Sequence, residues 1–373
     1  MIYFDYCANT PVDAAVLDRF CDTERTYIGN PNSNHSAGRA ANDALSQITG
    51  SIASRLHVRS SEIIYTSGAS EANNLGIKGI ARASRHYGRH IISTPLEHAS
   101  VSGPLTYLQE QGYEIDLVNI DRDGKIDLEH LRELLRKDTV LVAVCAVDSE
   151  LGTVQPIREI ADILKDFPNC RLHVDATQAI GKIDFSFDGI DTASFAAHKF
   201  YGLNGSGILL KRKDLVIEPL IHGGVSTTLY RSGTPTLSLA AALDTALTLA
   251  LDSLSERNQI VAARNTALRT ALSAYPKVRV NSPDAAVPHI LNLSVQGVKA
   301  SAFQAALDDA GICVSVKSAC SVEGTPSRAV FAVSRDRKNA LSSWRISLSH
   351  LTTDEEISQF LKAFDTCYKE LTK

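Results

Sequence analysis

Between about residue 51 and residue 210 the chain alternates short β-branched runs with stretches of helical period, and this alternation constrains the fold more than any other feature. Residues 62–66, 90–93, 114–118, 140–144, 171–175, 192–195 and 207–210 read as strands, and helical patterns such as 128–135 and 157–167 separate most of them. Strands divided by helices need crossover connections, which give parallel pairing and cover both faces of the sheet. The spacing predicts an α/β fold. After Pro235 the texture changes to Ala/Leu-rich helix over 238–275, broken near Ser253-Leu254-Ser255. A strand at 289–295, a helix at 300–310, strands at 312–316 and 344–348 and a last helix from Thr353 follow. This mixed portion predicts a smaller α+β domain with a boundary near residue 255. The expected division is a large domain at 13–255 and a small one made of 1–12 and 256–373. Thr353 suits an N-cap, with Asp354, Glu355 and Glu356 at the positive end of the helix dipole.

Composition narrows the function. Thirty-eight basic residues against 42 acidic ones give a formal charge of -4, so no cationic surplus awaits a phosphate backbone or an anionic membrane. The greasiest stretch, 237–254, is interrupted by Asp244 and Asp252, which fits a buried helix better than a membrane span. The N-terminal residues lack the basic start and apolar run of a signal peptide. The 7 cysteines form no CxxC pair, which argues against a zinc knuckle or a thioredoxin-type motif. Reduced cysteines and a cytoplasmic location are the expectation. Cys145, Cys313 and Cys367 fall in strand or helix patterns and read as packing residues, while Cys7 is ambiguous.

Four short segments carry candidate chemistry. Tyr65-Thr66-Ser67-Gly68-Ala69-Ser70-Glu71 runs from a strand through a glycine turn into a helix, whose free N–H groups and dipole would favour an anion. An ordinary capped turn accounts for the same residues. Neither GxGxxG after the first strand nor GxxxxGK[ST] occurs, which disfavours dinucleotide and nucleoside-triphosphate sites. His173-Val174-Asp175-Ala176-Thr177-Gln178 ends a strand on an acid, and ligands in open α/β sheets sit at such ends. In His198-Lys199-Phe200-Tyr201-Gly202 a lysine follows an apolar strand, where partial desolvation would favour imine chemistry. One strand–helix–strand unit separates Asp175 from Lys199, so their strand ends can be neighbours. A carboxylate for a pyridinium nitrogen, a lysine for an aldehyde and a helix N-terminus for a phosphate are what pyridoxal phosphate requires. The fourth segment, Lys317-Ser318-Ala319-Cys320-Ser321-Val322-Glu323-Gly324, is a polar loop in which Cys320 could reach a substrate. Lys317 would favour its thiolate, or would be a solvated bystander.

These residues, with Asp5-Tyr6, Thr10-Pro11, Gly29-Asn30-Pro31, Glu97-His98, His222-Gly223-Gly224, Arg231-Ser232-Gly233-Thr234 and Arg345, resemble the cysteine desulfurases. That family belongs to class V of the pyridoxal phosphate aminotransferases. The resemblance runs in order from residue 4 to about residue 360. It implies fold type I, with a mostly parallel seven-stranded sheet in the large domain. It also implies that L-cysteine is converted to L-alanine, with a persulfide on Cys320 passed to an acceptor protein of an iron–sulfur cluster or tRNA thiolation pathway. Lys199 would be the Schiff-base lysine, Asp175 the pyridinium partner and Gln178 a donor to the ring oxygen. His98 would stack on the ring and move protons. Ala69, Ser70 and His198 would hold the phosphate, with Thr234 reaching over from a second subunit of a homodimer. Arg345 would take the substrate carboxylate, beside Ser149. The chain departs from the family pattern at Ser149, usually Asn, at Ala196, usually Ser, at Val225–Thr228, at Asn9 and at Val316-Lys317. Two further readings accommodate those departures. One is a class V lyase or aminotransferase for another amino acid, and the other is a catalytically weak sulfur-transfer partner.

Overall fold

The computed structural model describes residues 1–317 and 324–373, so Cys320 lies outside the described residues. The chain opens with β1 (Ile2–Tyr3), α1 (Ala14–Thr26) and α2 (Ser36–Arg55). It then alternates β2 (Ile63–Thr66), α3 (Ala69–Ala83), β3 (His90–Ser93), α4 (Ala99–Glu110), β4 (Glu114–Leu117), α5 (Leu128–Leu134), β5 (Thr139–Cys145), α6 (Ile157–Leu164), β6 (Arg171–Asp175), β7 (Thr192–Ala196) and β8 (Gly207–Lys211). These seven strands, β2 to β8, form one sheet in the order β2-β8-β7-β6-β5-β3-β4. Pairings among β4, β3, β5, β6 and β7 are parallel, whereas β8 runs antiparallel to both neighbours. The reason is the connection. β7 reaches β8 through only ten residues, 197–206, too few for a helical crossover.

Every residue of β3, β5, β6, β7 and β8 except Arg171 is buried, as a sheet covered on both faces requires. One cover layer includes α7 (Leu237–Asp252), which packs on α1 and α2 and buries Leu243, Ala246, Leu247 and Ala250 in the core. No single helix among the described residues is long and apolar enough to cross a membrane. The expected break in the long helical pattern falls at Ser253, where α8 (Leu254–Leu272) begins at a 65° bend.

The remaining elements are β9 (Val278–Val280), β10 (Ile290–Val295), α9 (Ala300–Asp309), β11 (Ile312–Cys313), α10 (Arg328–Ser334), α11 (Arg337–Leu341), β12 (Ser343–Ser347) and α12 (Asp354–Leu371). Strands β12, β10 and β9 make an antiparallel sheet in that order. The expected strand over 312–316 is only two residues long. Ser315 instead makes an isolated bridge to Arg345. Thr353 caps α12 in a capping box with Glu356, and Ile357, Phe360, Phe364 and Cys367 form its buried face. The N-terminal strand β1 pairs with β11, and Ser347 donates to the Phe4 carbonyl at 2.7 Å. The first residues of the chain are therefore bound to its last third, and they carry Asp5, Cys7 and Ala8 to the edge of the large sheet. The six described cysteines are free, with no disulfide among the described residues.

Candidate active site

The order in which strands join the sheet reverses between the parallel neighbours β3 and β5, because β4 lies outside β3 while β5 to β8 extend the other way. Such a switch opens a crevice at the carboxyl ends of the strands. A cavity of about 350 Å³ occupies that edge. Ala69, Ser70, His98, Ser149, Asp175, Gln178, His198, Lys199 and Arg345 line it, so all of the expected site residues except Thr234 and Cys320 meet there. Thr234 is exposed, on the irregular chain before α7, and is not among the cavity's lining residues.

Two glycines shape the phosphate-like corner. Gly68, with φ +152°, turns the chain out of β2 and stands at the N-cap of α3, where no side chain caps the helix. A Cβ on Gly207 would lie 2.7 Å from the Gly68 Cα, so β8 must begin on glycine for this turn to sit against the sheet. Uncapped N–H groups and the dipole of a 15-residue helix point to an anion. Glu71 braces the turn by accepting from the Ser67 N–H at 2.7 Å and from Arg231 Nε at 2.9 Å. Burial would raise its pKa, but these bonds hold the carboxyl below the usual range.

Lys199 ends a 3-10 turn, Ala197–Lys199, immediately after β7. Its Nζ donates to the Cys7 carbonyl at 2.8 Å and the Ala8 carbonyl at 2.7 Å. Burial, opposed by Cys7 and aided by Arg345, lowers its pKa and favours the neutral amine. Burial and the neighbouring Lys199 and Lys182 likewise lower His198 to about 4. Asp175, the last residue of β6, accepts from the Thr177 N–H and from Asn73 Nδ2, both at 2.9 Å. Gln178 Nε2 donates to the Cys7 carbonyl at 3.0 Å, which fixes the amide's orientation because a carbonyl only accepts. Arg345 is 2% exposed, with Nη2 at 2.7 Å from Asp5 Oδ1 and Nη1 at 2.7 Å from the Ser149 carbonyl. Ser149 thus serves Arg345 through its backbone.

Three buried atoms at this cavity have no protein partner: Thr177 Oγ1, Gln178 Oε1 and Arg345 Nε. Each such group costs about 1–3 kcal/mol if left unmatched, so the cavity suits a polar, partly anionic ligand. The chain matches the aminotransferase class-V family over residues 2–360. The chain belongs to the class-V aminotransferase family. A NifS/IcsS protein homologue of Lactobacillus delbrueckii subsp. bulgaricus is 37% identical, covering 100% of this chain and 98% of its own. The cysteine desulfurase IscS of Dictyoglomus turgidum is 34% identical over 99% of this chain and 95% of its own. Among solved structures, a NifS-like protein superimposes with a TM-score of 0.93 at 35% identity, covering 99% of this chain and all of its own. A NifS-like protein of Rickettsia africae gives a TM-score of 0.89 at 30% identity, covering 99% of both chains. This class-V chain therefore sits among the NifS/IscS cysteine desulfurases, a pyridoxal phosphate-dependent group.

Sequence reasoning missed Asn73 and Ser100, which have no motif of their own, and the Cys7 and Ala8 carbonyls, which are backbone atoms. It also left Lys317 open between a thiolate-promoting neighbour and a solvated residue. Lys317 is 9% exposed, and its Nζ donates to the Thr325 carbonyl at 2.9 Å and to Thr325 Oγ1 at 2.8 Å. The lysine is thus no solvated bystander.

Glu97, to which the sequence assigned no role of its own, is a buried acid. Its Oε1 accepts from Thr94 Oγ1 at 2.7 Å and the Cys145 N–H at 3.0 Å, while Oε2 is buried and unpaired. Burial chiefly, with Asp175 and Asp148 adding repulsion, pushes its pKa from 4.5 up to about 8. The folded chain therefore keeps a proton that the unfolded chain has lost between those two values, and stability falls as pH rises through that window. Glu97→Gln removes this dependence. Urea unfolding across that range should show the variant gaining on the parent toward higher pH, by a few kcal/mol at the top. Parallel curves would contradict the assignment.

Proposed function

We propose that this chain is a pyridoxal phosphate-dependent cysteine desulfurase that forms a persulfide on Cys320 and passes the sulfur to an acceptor protein. The observation that carries the reading is the convergence of Lys199, Asp175, the α3 N-terminus and Arg345 on one cavity.

These residues fit the cofactor. The Lys199 amine would hold its aldehyde, the Asp175 carboxylate its pyridinium nitrogen, and Gln178 the ring oxygen through the N–H not given to Cys7. His98 would lie against the ring. Ala69, Ser70 and His198 would hold the phosphate. When bound, pyridoxal phosphate supplies an aldehyde for amines and an electron-withdrawing ring that weakens bonds at the α and β carbons of an amino acid. The chain's own residues do the rest. Arg345 orients the substrate carboxylate, and its partners Asp5 and Ser149 fix the guanidinium in place. Lys199, buried and drawn toward the neutral amine, takes and returns a proton. The Cys320 thiolate attacks the substrate sulfur, forming an S–S bond as the C–S bond breaks. L-Cysteine and one thiol thus become L-alanine and one persulfide, with no outside oxidant.

The chain would work as a homodimer, with Thr234 reaching the phosphate of a second copy. Ile28, Val225 and Leu229 are exposed on two segments joined by the Asn32–Ser226 hydrogen bond, an apolar surface suited to that contact. The large cofactor-binding domain would be 13–255 and the small one 1–12 with 256–373. We place its action in the cytoplasm.

The test is to add pyridoxal phosphate and then L-cysteine with a reductant, and to assay alanine and sulfide. Equal amounts of both support the reading. Visible cofactor absorbance without either product would overturn it. A further expectation concerns Arg345→Lys, which keeps the charge and loses the fork. Losing a charged hydrogen bond costs about 1.5–3 kcal/mol, so KM for L-cysteine should rise by about 10- to 100-fold with the cofactor absorbance unchanged. An unchanged KM would move the carboxylate site elsewhere.

A further inference from the structure

Behind His98 lies a hydrogen-bond chain whose proton positions are determined by its ends. His98 is the N-cap of α4, and the backbone N–H of Ser100 meets its Nδ1 at 3.1 Å. An amide N–H only donates, so Nδ1 offers a lone pair there. Ser100 Oγ lies 2.8 Å from the same nitrogen and 2.8 Å from Asn73 Nδ2. Asn73, in the interior of α3, is 0% exposed. Its Nδ2 also donates to Asp175 Oδ2 at 2.9 Å, and a carboxylate only accepts. Its Oδ1 takes His173 Nε2 at 2.9 Å and the Ser194 hydroxyl. His173 Nδ1 in turn lies 2.8 Å from Thr192 Oγ1. Both donors and both acceptor sites of the Asn73 amide are thus used, and the amide cannot turn over. Because Asn73 donates to Ser100, the serine hydroxyl sends its own proton to His98 Nδ1.

We infer that Asn73 is a positioning residue that, through Ser100, fixes neutral His98 with its proton on Nε2 while the same amide holds the Asp175 carboxylate. One buried side chain would thereby order two groups that line the ligand cavity, His98 through Ser100 and Asp175 directly. A second proton on His98 would have to enter at Nδ1, where two donors already point. The charged groups facing His98 are Asp175, which favours its protonation, and Lys199, Arg328 and Arg345, which oppose it. Burial opposes it most and lowers the ring below the ordinary histidine range. Burial lowers the pKa of His173 to about 4, so this ring too is neutral near pH 7, and its proton sits on Nε2 because Asn73 Oδ1 only accepts. The role of His98 toward substrate rests on the desulfurase reading, whereas the proton position does not.

The test reads the ring directly. Protein labelled with 15N in histidine, free of cofactor, is followed by NMR across neutral pH, and the His98 signals are assigned by their loss in His98→Gln. The expected parent spectrum has a protonated Nε2 and an unprotonated Nδ1 throughout. Ser100→Ala should mix the two tautomers and let the doubly protonated ring appear at higher pH, leaving His173 unmoved. Ser100→Thr, which keeps the hydroxyl, should restore the parent pattern. Asn73→Ala should shift His98 and His173 together. If Asn73→Ala does not fold, the serine pair carries the test alone, since Ser100→Ala leaves the Asn73–Asp175 bond in place. A parent His98 protonated on Nδ1, or His98 signals indifferent to Ser100→Ala, would overturn the inference. Neither result depends on whether cysteine is turned over, so this failure and a failure of the desulfurase reading are separable.

Discussion

Lys199→Ala is expected to give a protein that holds no covalent cofactor and turns over no substrate. The amine is fixed between the Cys7 and Ala8 carbonyls, at the end of the strand beside Asp175, and burial drives it toward the nucleophilic neutral form. Loss of its proton-transfer role alone should lower kcat by about 10²–10⁴-fold. Loss of the covalent anchor adds to that, and the visible absorbance of the bound cofactor should disappear. Lys199→Arg should fare no better, because a guanidinium stays protonated and forms no imine. A variant that kept both absorbance and turnover would remove Lys199 from the chemistry.

Cys320→Ala is the second large effect, and of the opposite kind. The cofactor should bind and its absorbance should respond to L-cysteine, while sulfide and protein-bound sulfur fall to background. The described part of the site gives this variant a sharp control, since two other thiols line the same cavity. Cys145 is buried among acids, and burial followed by the Glu97 charge pushes its thiol well up, so it is a poor nucleophile. Cys7 is 2% exposed, and its N–H is tied to Ser347 Oγ at 2.9 Å. If sulfur transfer survived in Cys320→Ala and vanished on adding Cys7→Ser, the nucleophile would be Cys7. Survival that persisted after Cys145→Ser was added as well would contradict attack by any described thiol of the cavity.

The expectations that held were those anchored in period and strand ends. All seven strands of the large sheet occur where strand patterns were read, and for the five inner ones, β3 and β5 to β8, the reason is burial on both faces, which decides their apolar content locally. Lys199 and Asp175 were legible for the same reason, as polar residues placed where such runs stop. Elements that exist only through a tertiary partner were not. β1 is two residues long and is defined by β11, while β9 has three residues and, among the described residues, pairs only with β10. α2 mixes five alanines with Gly38, Gly50 and four serines, so its helical signal is diluted in sequence and its packing on α7 adds what propensity lacks. The charge-setting residues around the cavity were hidden for a further reason. An asparagine inside a helix and a serine two residues after a histidine look ordinary in sequence. Their importance comes from strands about a hundred residues away.

The most direct test of the central claim is mass spectrometry of the Cys320 peptide after the cofactor-loaded protein meets one equivalent of L-cysteine without reductant. The account predicts a gain of one sulfur atom on Cys320, with alanine released in equal amount and both lost in Lys199→Ala. Alanine without added sulfur on Cys320, or consumption of cysteine to a different product, would contradict it.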